Sequence, residues 1–184
     1  MDRLIDKLSR PKTVMILAGL SIGYAAALFG LGSYSEIQRA YQGRKLLEES
    51  FGYGKTDVAT QLAAFGDHYQ QLYLKFQLFD YVNGILLALA LTAILSFTLT
   101  RLLPKNSPLR LLSLLPLIAG IAEIIENTGL IHLTRSFPEI SYTVVSAASF
   151  ATMLKFLVDI FCMALAVLTL IATGLGKIFQ KRNQ

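Results

Sequence analysis

The sequence predicts an all-α integral membrane protein: a four-transmembrane-helix bundle with an outer amphipathic helical hat between spans one and two. Three observations predict it. Of 184 residues, 54% are hydrophobic and 16% are charged, against about 25% charged in a soluble domain. The mean hydropathy is +0.53. Four stretches are also long and apolar enough to cross a hydrocarbon core about 30 Å thick, which takes about 20 residues as a helix. Runs such as Ile85-Leu86-Leu87-Ala88-Leu89-Ala90-Leu91 lack the two-residue alternation of a barrel strand, so the spans are helices. The whole chain, 1–184, reads as a single membrane domain.

The first span is 13–32, uncharged throughout. Its apolar run exceeds the 7–15 residues usual in a signal peptide, so it is expected to stay uncleaved. Ahead of it, Leu4, Ile5 and Leu8 alternate with charges, as in a short interfacial helix. Gly19, Gly23 and Ala27 recur every four residues and are expected to let a neighbouring helix approach. The outer helical loop is 33–76. Its helix-like stretch 35–49 breaks at Gly52-Tyr53-Gly54, and a second helix is expected from a cap at Thr56 or Asp57. In that second helix Leu62, Phe65, Tyr69, Leu72 and Phe76 mark the buried face. It runs into the second span, 77–100. Pro104 and Pro108 mark a tight turn to the third span, 111–133. A short turn at Ser136-Phe137-Pro138-Glu139 leads to the fourth, 143–176, which is longer than crossing requires.

Lysine and arginine set the orientation. Arg3, Lys7, Arg10, Lys12, Arg101, Lys105, Arg110, Lys177, Lys181 and Arg182 fall on one side of a four-span chain. The other side has Arg39, Arg44, Lys45, Lys55, Lys75 and Arg135, diluted by five acids in the long loop. Both termini are therefore expected in the cytoplasm, in a membrane of the bacterial inner type. The net charge of +5 reads as a topology signal and an attraction to lipid headgroups, not as a nucleic-acid surface. Membrane lipids are the expected partners, with a homo-oligomer or another membrane protein as further possibilities.

Polar residues inside the spans carry the functional information, because a charge at the bilayer centre costs about 2.5–3.5 kcal/mol on insertion scales. Asp80 and Asn83 share a face of span two, beside Gly84. Glu123, Glu126 and Asn127 share a face of span three, and Ser149, Thr152, Lys155 and Asp159 form a stripe on span four. Counting 1.5 Å per residue from the outer ends places Asp80, Asn83, Glu126 and Asn127 in an outer tier. Glu123, Lys155 and Asp159 form a deeper one. Four carboxyls against one lysine require protons or a bound cation. Three readings stay open. One is a structural network in which Lys155 pairs with Glu126 or Asp159. Another is a site for a proton, a cation or a lipid headgroup. The third is catalysis.

No nucleophile elbow, phosphate loop, paired HExxH histidines or CxxC is present, and no cofactor is expected. His68, His132 and Asp80 match no zinc spacing, so no metal is expected. Cys162 reads as packing.

The motif Glu123-Ile124-Ile125-Glu126-Asn127, with Ala148-Ser149 and Thr152-Met153-Leu154-Lys155 after it, resembles a group of uncharacterised microbial four-span membrane proteins. These have an acidic-x-x-Glu-Asn motif followed by a Thr-x-x-Lys helix. The resemblance covers spans two to four and implies a polar cluster built from these residues. The leading expectation is a non-enzymatic protein whose outward-facing intramembrane cluster binds a proton, cation or lipid headgroup, or serves assembly. The alternative is a small membrane enzyme acting on a lipid or isoprenoid-like substrate, with Glu123 and Glu126 as its acid–base pair.

Overall fold

The computed structural model describes the backbone of residues 2–182 and the side chains of residues 3–174. The C-terminal charges Lys177, Lys181 and Arg182 lie outside the described side chains. Six α-helices follow one another: α1 (Asp2–Leu8), α2 (Pro11–Leu31), α3 (Tyr34–Ala40), α4 (Lys55–Leu102), α5 (Pro116–Ser136) and α6 (Tyr142–Arg182). Two 3-10 turns, Leu47–Glu49 and Pro108–Leu114, sit in the connections. Four helical stretches are long and apolar enough to cross a membrane.

The chain's punctuation explains the boundaries. Pro11 opens α2, and Pro116 opens α5, at the first helical position, where no backbone donor is missed. The expected helix over 35–49 is only half formed. It ends at Ala40, and Gln42 and Gly43 take positive φ angles of 56° and 70°. The chain then descends in extended form to the turn at Leu47. Neither Thr56 nor a side chain at the N-cap closes the start of α4. Gly54 holds that position, and the Asp57 carboxylate reaches back to accept its N–H at 2.7 Å. After α5 the Phe137–Pro138 bond is cis, and α6 begins five residues after the first residue of that bond.

α4 is the spine. It runs from the 32–54 connection through the whole bundle, with one bend at Gly66, where φ is +60° and ψ is −179°. Gln70 Nε2 spans the bend and donates to the Leu62 carbonyl at 2.9 Å. The bend also rephases the buried face. Val58, Gln61, Leu62 and Phe65 are buried before it, and Tyr73, Phe76, Gln77 and Asp80 after it. Tyr69 and Leu72, expected on the buried stripe, are half-buried instead.

α5 and α6 pack on each other and both pack on α4, whereas α2 packs chiefly on α4. Small residues permit the closest approaches. A Cβ on Gly129 would stand 2.7 Å from that of Ala148, and one on Gly120 would stand 3.0 Å from that of Ala88. The stripe Gly19, Gly23 and Ala27 departs from expectation. All three are exposed, and a Cβ on either glycine would meet nothing within 4 Å. α2 instead turns Ser21 and Leu28 inward, and Tyr24 Oη donates to the Phe79 carbonyl on α4 at 3.0 Å.

Two apolar cores result. One lies where the 32–54 connection covers the bundle, with Ile37, Leu46, Leu62, Phe76, Leu130 and Leu133 fully enclosed. The other lies between the far halves of α4 and α6, around Leu95, Leu99 and Cys162. Between them α4, α5 and α6 carry their polar residues at one level.

Candidate functional site

Lys155 is the centre of that polar level. Its Nζ lies 3.0 Å from Glu123 Oε2 and in direct contact with Glu126 Oε2. Residues 123 and 126 are one turn apart on α5, so one ammonium on α6 can bridge both. The remaining oxygens are also engaged. Asn127 Nδ2 donates to Glu123 Oε1 at 3.1 Å, and Thr152 Oγ1 lies 2.7 Å from Glu126 Oε1. Glu126 and Asn127 are fully enclosed.

On α4, Asn83 Nδ2 donates to Asp80 Oδ1 at 3.1 Å. Glu123 of α5 packs against this stretch of α4, and its carboxyl and that of Asp80 line one cavity. Gly84 makes this approach possible: a Cβ there would overlap Glu123 Cγ and stand 2.9 Å from Cδ. The expected pairing of Lys155 with Asp159 is absent among the described ion pairs. One turn further along α6, Asp159 instead lines a cavity. The two tiers expected from depth merge into a single cluster, because Lys155 joins Glu123 of the deeper tier to Glu126 of the outer one.

The 32–54 connection contributes residues that helical periodicity did not reveal. The turn Leu47–Glu49 drives Glu48 into the bundle, where it is buried and accepts from Tyr73 Oη at 2.6 Å. Neighbouring contacts lock the turn. Leu47 N donates to Gln61 Oε1 at 3.0 Å, Leu46 N donates to Glu49 Oε2 at 2.9 Å, and Tyr34 Oη donates to Glu49 Oε1. Burial pushes the Glu48 carboxyl up to about 8, and the negative charge of Glu126 adds to the effect. The Tyr73 hydrogen bond, Glu48's own backbone and Lys155 oppose it. The Tyr34 hydroxyl is raised to about 12, first by desolvation and then by its bond to Glu49.

Tyr53 lies in the extended stretch before α4, and its N–H donates to Ser149 Oγ at 2.8 Å. Its hydroxyl is 3.4 Å from Thr152 Oγ1. Thr152 has a single hydrogen; given to Glu126, it leaves a lone pair free to accept from Tyr53. Burial is the main cause that raises the Tyr53 hydroxyl above its ordinary value. A polar line thus runs from the connection through Tyr53 and Thr152 to Glu126, Lys155 and Glu123.

A cavity of about 550 Å³ opens beside this line. Glu48, Asp80, Glu123 and Asp159 give it an acidic interior, while Phe29, Phe76, Leu87 and Phe156 form apolar walls. Lys45 stands exposed at its edge and Lys155 at its base. Glu126 does not reach it. Among the described residues, no three of His, Cys, Asp or Glu converge to hold a metal ion, and His68 and His132 are both exposed. The signals that point to the missed residues are local. Glu48 directly follows the enclosed pair Leu46-Leu47, and Tyr53 sits between two glycines where the backbone is extended. Comparison with protein-family models, with curated proteins and with solved structures yields no match for this chain.

Proposed function

We propose that the chain is a non-enzymatic four-span membrane protein that binds a cationic group, a small cation or a lipid headgroup, in an outward-facing intramembrane site. Both termini are cytoplasmic, the 32–54 connection forms part of the outer hat, and the membrane is a bacterial inner membrane. The observation that carries this reading is the cavity of about 550 Å³ lined by five acids, Glu48, Glu49, Asp80, Glu123 and Asp159, against two lysines. Lys155 is already committed to Glu123 and Glu126, so it leaves Asp80 and Asp159 without an ion-pair partner. A dry, fully paired cluster would have suited assembly alone, but an acidic cavity with apolar walls suits a ligand.

The enzyme reading is less well supported. Glu126 is enclosed, with Lys155 and Thr152 on its two oxygens, so it is poorly placed to exchange a proton with an occupant of the cavity.

Gentle extraction followed by mass spectrometry and elemental analysis tests the proposal. We expect a stoichiometric lipid, amine or metal cation on the wild type and its loss on Glu123→Gln. Wild-type protein that emerges bare, and stays bare when cations or membrane lipids are added back, overturns it.

A further inference from the structure

The cavity is a groove with two unlike lips. α2 packs on α4, and α6 packs on α5 and α4, without substantial packing between α2 and α6 themselves. The two helices flank α4 and leave its polar face between them. Phe29 of α2 stands on one lip, and Phe156 and Asp159 of α6 stand on the other, with Asp80 and Leu87 on the floor. Phe29 is 40% exposed, so this lip faces outward from the bundle. In a four-span protein a gap between the first and last span opens sideways to lipid.

We infer that this groove seats an amphiphile with an alkylammonium headgroup, its nitrogen among Asp80, Asp159 and Glu48 and its chain leaving between α2 and α6. The inference rests on the cationic-ligand reading above and specifies the ligand's chemistry.

Three features select it. Five carboxyls against Lys45 and Lys155 leave an excess that repels an anionic head, and Lys155 is saturated by Glu123 and Glu126. Phe29, Tyr34 and Phe76 form one aromatic group beside the acids. The Phe29–Tyr34 centroids are 5.0 Å apart and the Tyr34–Phe76 centroids 5.5 Å apart. Ring faces attract an organic ammonium, and most strongly where water is excluded. Finally, Glu48 Oε1 is a buried oxygen without a hydrogen-bond partner on a residue that lines the groove. An ammonium N–H supplies the missing donor. A bare metal ion would gain nothing from the apolar lips, which only a hydrocarbon chain can fill.

Thermal-melt titrations of the full chain in neutral maltoside micelles at pH 7 test the inference, with native mass spectrometry counting bound molecules. The probes are dodecylammonium, dodecyl sulfate, methylammonium and sodium. We expect dodecylammonium to raise the Tm saturably with one molecule bound. Equal concentrations of dodecyl sulfate and methylammonium should not. Asp159→Asn and Phe29→Ala should each weaken dodecylammonium about tenfold, the loss of roughly one good contact. Phe29 and Asp159 both lie at the lips, so neither change threatens the fold. If methylammonium or sodium stabilises as well as dodecylammonium, the site takes a small cation. The general reading then stands and the amphiphile is excluded. If dodecyl sulfate binds as well, headgroup charge is not recognised, and the inference fails. If none of the probes binds, both readings fall together.

Discussion

Lys155 has two carboxylate partners on one neighbouring helix, so removing it leaves both without a counter-charge. Breaking a buried pair from one side costs about 3–5 kcal/mol, and Lys155→Met is expected to lower stability in detergent by that order. Adding Glu126→Gln should restore part of the loss, and adding Glu123→Gln as well should restore more. Asp159→Asn, which removes a carboxyl outside the ion pair, should couple weakly to Lys155→Met. Chemical-denaturation cycles measure these couplings; a larger coupling to Asp159 than to Glu126 would contradict the geometry. Glu48 makes a separate prediction, about pH. The folded chain keeps the Glu48 proton up to about pH 8, whereas the unfolded chain releases it near the ordinary carboxylate value. The stability this supplies is complete below the unfolded value and is lost as pH rises through that window. Glu48→Gln should flatten this decline, by an amount on the order of a few kcal/mol. Melts from pH 5 to 9 check it, and parallel curves for the two proteins would show that Glu48 titrates normally. The polar residues of α4, α5 and α6 were legible in the sequence because charges within apolar runs stand out, and helical spacing put them on shared faces. Glu48 and Tyr53 were not. They belong to irregular chain, where no period links a residue to the face it presents.

Elements with a long apolar period were the easiest to read. The four long apolar helices appear where hydropathy placed them, and the helix expected after residue 55 runs into the second of them across the bend at Gly66. What hydropathy could not supply was the bend at Gly66, because its cause is a backbone angle and not a side-chain pattern. That bend explains why Tyr73, not Leu72, is buried. Gly66→Ala tests it. A Cβ there would meet nothing within 4 Å, so the whole cost is the φ of +60°, about 1–3 kcal/mol for a non-glycine residue. Hydrogen exchange should then accelerate across 55–76 before the rest of α4. Gly84→Ala differs, because its Cβ would displace Glu123 and break the seat of Lys155. It should cost more than Gly66→Ala and should couple to Glu123→Gln. Equal effects from the two glycine changes would mean that Glu123 can move aside freely.

At the scale of the molecule, the proposed topology of four spans with cytoplasmic termini predicts which positions a membrane-impermeant thiol reagent can reach. With Cys162 replaced by alanine, Gln42→Cys should react from outside intact cells, and Asn106→Cys only after permeabilisation. The reverse pattern would invert the topology. The exposed small-residue face of α2 predicts tolerance: Gly23→Leu should change stability by no more than about 0.5 kcal/mol. The expectation that this stripe packed inside the bundle came from its spacing alone, and spacing does not say which side of a helix has a neighbour. The ion pair between α5 and α6 has a consequence for biosynthesis. Glu126 is synthesised twenty-nine residues before Lys155, an interval of about 1.5–6 s at ordinary elongation rates. During that time α5 carries two carboxylates and no lysine, and would be the most reluctant of the four spans to leave the translocon alone. With only a short turn between them, α5 and α6 should partition into lipid together as a hairpin, and Lys155→Met should delay the release of α5 from the channel.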